Sequence, residues 1–465
     1  MSRQQAIDLA TAYFDQGTFE STLRRRVAMP TESQEQGKLK ELTAYLTDEL
    51  VPILEPLGFK CQLIQNPIPD NAPFLFAHRA EPGSKFTVLS YGHGDVVRGY
   101  ASQWHAGLDP WKLNIQGDRW YGRGTADNKG QHSINLAALE QVLTARNGKL
   151  GYDVKLIIEM GEETSSPGLR EVCEQNAELF KADLLLASDG PRVSASRPTL
   201  FLGSRGAFNF ELKINLRQGG HHSGNWGGLL KNPGVRLANA IASICNERGK
   251  ILVPGLLPKD LPDNIKRALS TIQVGGGPND PEIDPNWAEP GLTLAEKVFG
   301  WNTFETLAYK TGNPDAPVNA IPGYAIAYCQ LRYVVGSDNE HFLDHIRAHL
   351  DAHGYDDIEV AASRGEAAEA TRLDPDNAWV KMAAASIKRS VGKDVDILPN
   401  LGGSLPNDAF SKILGLPTVW VPHSYAACSQ HAPNEHMLGS IARESLQLMA
   451  GLFWDLGEEG AKLAA

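Results

Sequence analysis

The sequence predicts an α/β protein in which a mixed, mostly parallel sheet carries helices on both faces and is interrupted by a smaller α+β unit. Three observations carry that expectation. Apolar runs alternate with helical patterns between about residues 74 and 187. Near residue 205 the pattern changes to the alternating apolar and polar residues of half-buried strands. The first pattern then resumes with a helix at 376–391 and a strand at 417–421. At 465 residues the chain exceeds the size at which one core stops growing, so two domains are expected.

Residues 1 to about 56 read as helical, because Leu39, Leu42, Leu46 and Leu50 recur at three- and four-residue spacing. The runs 74–77, 87–91, 154–158 and 184–187 read as buried strands, with helices at 130–145 and 168–180. The interrupting unit reads as a strand at 207–214, a helix at 233–248, a strand at 325–332, a helix at 339–352 and a strand at 358–360. Residues 254–317, rich in glycine and proline, read as irregular. The division expected is 1–205 with 366–465 for the larger domain and 206–365 for the insertion.

Composition narrows the function classes. The net charge of −11, with no basic cluster, argues against a nucleic-acid partner. No stretch approaches the ~18 apolar residues of a membrane span. The five cysteines are odd in number and contain no CxxC pair, so a disulfide framework or a cysteine zinc site is not expected. A reduced, cytoplasmic location is the simplest reading.

Five segments put metal-ligand side chains beside turn residues. They are 91–97 with His93 and Asp95, 122–130 with Asp127, 159–164 with Glu162 and Glu163, 187–190 with Asp189, and 431–435 with His431. Three of them follow the ends of strands, at Tyr91, Ile158 and Ala187. Open parallel sheets bind ligands beyond those ends, so the three converge on one sheet edge. Two histidines and three carboxylates suffice for two divalent cations ~3.5–4 Å apart, leaving one glutamate as a base. Imidazole with carboxylate suits zinc, with manganese or cobalt as alternatives. Asp95 lies where it accepts the second ring proton of His93 and fixes its tautomer. Glu162 and Glu163 are adjacent, so the natural division is one ligand and one proton shuttle.

With these ordered motifs the chain resembles the M20 metallopeptidases, the carboxypeptidase G2/aminoacylase-1/DapE-like family, and within it the cytosolic nonspecific dipeptidase and carnosinase branch. The resemblance implies that Asp127 bridges two metals, that His93 and Asp189 complete one site, and that Glu163 and His431 complete the other. It makes Glu162 the general base and acid, and the Asp127–Asn128 peptide cis. It also implies that the insertion is a lid and dimerisation domain. The run Gly220-His221-His222-Ser223-Gly224 resembles a lid segment that reaches the neighbouring subunit's active site, with His222 steadying the oxyanion. Asn319 matches another lid position in that segment. Arg332 matches an arginine that grips the substrate's terminal carboxylate, and Gly403 and Ser404 match a loop that binds the same group.

The expected activity is therefore hydrolysis of dipeptides or short peptides with a free C-terminal carboxylate by a homodimer. An N-acyl-amino-acid deacylase is the alternative within the same family. A noncatalytic binding protein is disfavoured, because a binder has no use for Glu162. His341, His345, His349 and His353 form a helical stripe beside apolar Phe342, Leu343, Ile346 and Leu350, and are expected to flank that face in solvent.

Overall fold

The computed structural model describes residues 2–275, 281–363 and 368–464. Its larger sheet has eight strands in the spatial order Lys60–Ile64, Phe74–Arg79, Asp153–Glu159, Thr87–His93, Leu184–Ala187, Thr418–Trp420, Thr199–Phe201 and Asp396–Leu398. The four central strands run parallel, and both flanks carry antiparallel pairs. This is the expected mixed, mostly parallel sheet. Its centre is apolar on both faces: all four residues of Leu184–Ala187 are buried.

One face is covered by the helices Arg3–Asp15, Lys129–Ala145, Ala378–Val391 and Gly439–Leu463, which share a single hydrophobic cluster. The first of these begins at a capping box, where the Ser2 hydroxyl accepts from the Gln5 amide and the Gln5 side chain accepts from the Ser2 amide. The 25-residue helix Gly439–Leu463 was not anticipated; fourteen of its residues are buried, so it lacks the polar face that marks a surface helix. The edge strands Lys60–Ile64 and Asp396–Leu398, and Thr199–Phe201 beside the latter, are not legible in the sequence either. Two are only three residues long, and the third is almost wholly unburied, which leaves little periodicity to read.

The second sheet is antiparallel in the order Thr303–Thr311, Tyr324–Tyr333, Gly206–Asn215 and Glu359–Ala362. Helices Pro233–Ile244 and Phe342–Ala352 pack on it through Leu237, Ala240, Ile346 and Leu350. The helix expected to reach residue 248 stops at Ile244, because Cys245 turns extended and pairs with Ile251. Residues 254–317 are not irregular throughout. They hold two short helices, Asp263–Leu269 and Leu294–Phe299, and the nine-residue strand Thr303–Thr311. That strand escaped notice because it lies at the sheet edge, mostly exposed, with a register shift between Thr306 and Ala308. Leu261, Ile265, Leu269 and Ala295 do not join the second core but pack with Phe201, Leu398, Phe410 and Trp420 of the larger sheet.

The two chain crossings between the sheets run side by side. The Thr371 amide donates to Ser204 O at 3.0 Å and the Leu373 amide to Leu202 O at 2.7 Å. A Cβ on Gly203 would lie 2.1 Å from Thr371 O, so only glycine fits that approach. The expected domain boundary at 365/366 lies outside the described residues.

Candidate metal centre

Each ligand-type side chain is delivered by the end of a central strand or by a loop pinned to one. His93 closes Thr87–His93, and Glu162 and Glu163 form the turn directly after Asp153–Glu159. Asp189 lies just beyond Leu184–Ala187, Asp127 just before the helix Lys129–Ala145, and His431 in the loop that leads to the strand His436–Leu438. The Asp127–Asn128 peptide is cis, as expected.

The side chains converge in two groups of three. His93, Asp127 and Asp189 place ligand atoms within 4.8 Å of one another, and so do Asp127, Glu163 and His431. Asp127 belongs to both and turns one oxygen to each: Oδ1 is 3.0 Å from His93 Nε2 and Oδ2 is 2.9 Å from His431 Nε2. Asp189 Oδ2 is 3.5 Å from His93 Nε2, and Glu163 Oε2 is 3.0 Å from His431 Nε2. Glu162 belongs to neither group, with Oε2 at 4.0 Å from His93 Nε2.

Asp95 holds three things at once. Its Oδ1 lies 3.2 Å from His93 Nδ1, and its carboxylate accepts the Glu162 amide at 3.2 Å and the Glu163 amide at 3.1 Å. Ser33 Oγ donates to it at 2.6 Å. One carboxylate thus fixes the orientation of His93 and of the turn carrying both glutamates.

Electrostatics follow from crowding charges in a dry place. Burial raises the Glu162 carboxyl well above its usual range, helped by Asp189, Glu163 and Asp127 and opposed by His93. Burial and Asp127 likewise push Glu163 up to about 7. Hydrogen bonds with Asp127 and Glu163 hold His431 up at about 11. At His93 burial works downward, but the carboxylates of Asp127, Asp189 and Asp95 outweigh it and raise the imidazole. Two imidazoles among this many acids fit a divalent-cation site by donor chemistry, with carboxylate charge exceeding what protonated histidine alone offsets.

Three contributors were not singled out from the sequence. Gln430 donates to Asp127 Oδ2 at 2.6 Å. Glu435, buried, accepts the amides of Gly124, Ala126 and Asp127 at 2.9–3.1 Å, and pairs with buried Arg123 at 2.8 Å. It ties the loop bearing Asp127 to the loop bearing His431. In that second loop Ser429, His431 and Asn434 adopt φ of 58°, 59° and 65°, a strained conformation that such anchoring sustains. Proximity to His431 was the available signal for Gln430 and Glu435, and proximity to Asp127 for Arg123; spacing alone assigned them no partner.

The remaining expected site residues fall into two places. Arg332 Nη1 donates to Ser404 Oγ at 2.8 Å, joining the second sheet to the 402–406 loop. Ser404 and Glu162 line one cavity of about 140 Å³, together with Ser166, Arg170, Leu405 and Pro406, while Gly403 is exposed beside it. His222 and Asn319 are exposed and adjacent: His222 pairs with Ala320, and the Ser223 amide donates to Asn319 O at 2.9 Å. Among the described residues neither makes a hydrogen bond or ion pair with the metal-ligand groups.

A model of the Peptidase family M20/M25/M40 matches residues 89–455. A cysteinylglycine-S-conjugate dipeptidase of Corynebacterium striatum is 32% identical over 253 residues, covering 52% of this chain and 54% of that protein. The Cys-Gly metallodipeptidase DUG1 of Candida albicans is 24% identical over 461 residues, covering 90% of each. The chain spans about half the length of the first curated relatives it matches, 54%, 43% and 52%. The M20 family metallo-carboxypeptidase Sso-CP2 from Sulfolobus solfataricus superposes with a TM-score of 0.78 at 23% identity, over 95% of this chain and 99% of that one. That likeness speaks for the fold.

Proposed function

The chain belongs to the Peptidase family M20/M25/M40, and from that premise we propose that it is a di-metal hydrolase of dipeptides or short peptides bearing a free C-terminal carboxylate. The observation that carries this reading is the pair of three-residue groups sharing Asp127, with Glu162 left outside both. Similar proteins named as dipeptidases support the substrate class. Divalent cations, one at His93, Asp127 and Asp189 and one at Asp127, Glu163 and His431, would supply the positive charge that acidifies water and polarises a scissile carbonyl. Zinc is the cation proposed, with manganese or cobalt as substitutes.

The chain's own residues do the rest. Glu162, whose buried carboxylate has a raised proton affinity, takes a proton from the attacking water and returns it to the leaving amine. Asp95 holds His93 and the glutamate turn in place. Arg332 and Ser404, bonded to each other, hold the substrate's terminal carboxylate, Ser404 lining the cavity that Glu162 also lines. His222 and Asn319, exposed on the second sheet's outer loop, steady the oxyanion from a partner subunit. All five cysteines are free, which supports a reducing, cytoplasmic setting. No helix among the described residues is long and apolar enough to cross a membrane.

The deciding experiment strips the protein of metal, restores zinc, manganese or cobalt, and assays dipeptides beside N-acetyl amino acids. Metal-dependent cleavage of the dipeptides is expected. Cleavage of the N-acetyl compounds alone moves the protein to the deacylases, and turnover that ignores metal overturns the di-metal reading.

A further inference from the structure

Two arginines meet at Ser404, and neither has an acidic partner. Arg205 is only 9% exposed, yet among the described residues no carboxylate lies within ion-pair distance of it or of Arg332. Every other buried arginine among the described residues is paired, Arg26 with Glu49, Arg79 with Glu81, Arg123 with Glu435 and Arg192 with Glu444. A buried cation without a counter-charge is costly, and the cost persists only where something offsets it.

Local bonds fix both guanidiniums and leave one nitrogen of each uncommitted. Arg205 Nε donates to Gly402 O at 2.9 Å and Nη1 to Thr303 Oγ1 at 3.3 Å. Arg332 Nε donates to Gln330 Oε1 at 3.0 Å and Nη1 to Ser404 Oγ at 2.8 Å. Ser404 Oγ in turn donates to Arg205 O at 3.0 Å, and Thr303 sits opposite Arg332 in the sheet. The two Nη2 groups remain, one on the side chain that Ser404 holds and one on the residue whose backbone carbonyl Ser404 holds, with Arg205 bonded to Thr303 directly across the strand pair from Arg332. Burial, with the Arg332 charge next in size and the Glu305 charge opposing both from beyond ion-pair distance, pushes Arg205 down to about 10.

We infer that Arg205 is a second substrate-binding residue that completes, with Arg332, a two-guanidinium clamp on one carboxylate of the substrate. The clamp deepens the peptidase reading and rests on it only in requiring a substrate with a free carboxylate. One nitrogen from each arginine suits a single carboxylate, whose two oxygens take one donor pair each. A C-terminal amide has neither the charge nor the second acceptor, so the clamp makes the enzyme strict for the free acid.

The test compares L-alanyl-L-alanine with its C-terminal amide. In the zinc-loaded enzyme, Arg205→Met should raise KM for the acid about 10–100-fold with kcat nearly unchanged, and leave the amide's kinetics as they were. Arg205→Lys, which keeps the charge and loses the fork, should restore part of the difference. Binding of both compounds to a Glu162→Gln background, by calorimetry, should show the same pattern without turnover. Equal losses for acid and amide, or no loss for either, overturn the clamp. Should Arg205→Met fail to fold, Arg205→Lys decides, because a merely structural arginine would weaken acid and amide alike. If wild type cleaves neither alanylalanine nor N-acetylalanine, the peptidase reading falls. The clamp is then judged by whether alanine binds more tightly than alaninamide in wild type and not in Arg205→Lys.

Discussion

At the scale of single residues the site separates ligands from the groups that act beside them. Glu162 lies outside both ligand groups, so Glu162→Gln should leave cation content unchanged while kcat falls by about 10²–10⁴-fold. Metal analysis of the variant beside its steady-state kinetics checks this; a loss of bound metal would make Glu162 a ligand instead. Glu435 works at one remove. Burial raises its carboxyl while Arg123 lowers it, and its removal leaves Arg123 unpaired in the interior with three loop amides unsatisfied. Glu435→Ala should therefore cost about 3–5 kcal/mol of stability in denaturant titration, and weaken cation binding through the Asp127 loop. The histidines add a pH dependence. Hydrogen bonds to Asp127 and Glu163 raise His431 to about 11, so it is protonated in the ion-free protein at neutral pH. An imidazole must give up that proton to coordinate, so cation uptake should release protons. Affinity should rise with pH, by up to tenfold per unit for each proton displaced, until the pH nears about 11. Calorimetry in buffers of different ionisation enthalpy reads that release directly; none at pH 7 would show the imidazole already neutral.

At the scale of elements, the parallel strand ends do the positioning, and the paired crossings at 202–205 and 368–373 set the second sheet against them. Arg332 comes from that second sheet and Ser404 from a loop of the first, so their 2.8 Å contact depends on the crossings holding register. Gly203→Ala puts a Cβ against Thr371 O and forces the two crossings apart. It should destabilise by about 1–3 kcal/mol, and raise KM more than it lowers kcat, since neither Glu162 nor any ligand residue lies on the crossing segments. Denaturation midpoints together with KM test it; an unchanged KM would mean that the crossings do not set the carboxylate site. The motifs at strand ends were legible because the run of apolar residues announces where a strand stops. Thr303–Thr311 was not, since an exposed edge strand needs no apolar alternation and its paired positions lie 14 to 29 residues on.

At the scale of the molecule, the second sheet and its loops present apolar side chains that no other described residue covers. Val318 is 77% exposed, Leu229 75% and Leu307 60%, on the same unit that carries His222 and Asn319. A two-fold partner on this face would bury those side chains and bring its own His222 toward the site. Light scattering should therefore give a dimer, and Leu307→Asp with Val318→Asp a monomer of much reduced activity. Mixing inactive His222→Ala and Glu162→Gln proteins should restore roughly a quarter of wild-type activity, because half the random pairs are mixed and each mixed pair holds one intact site. No recovery on mixing would place His222 within its own subunit or outside the reaction.

The sequence alone determined the fold class, the strand-end positions of His93, Glu162, Glu163 and Asp189, and the presence of a second unit beginning near residue 205. Those features follow from local periodicity and from residue type beside a turn, which a linear reading contains. It did not determine the Glu435 anchor, the Gln430 bond to Asp127, or the unpaired Arg205 beside Arg332. Each of these joins residues more than a hundred positions apart, and a side chain's partner, burial and counter-charge exist only once the chain has closed around it. Tertiary structure decided which carboxylates share a cation, and which cations were left without an acid.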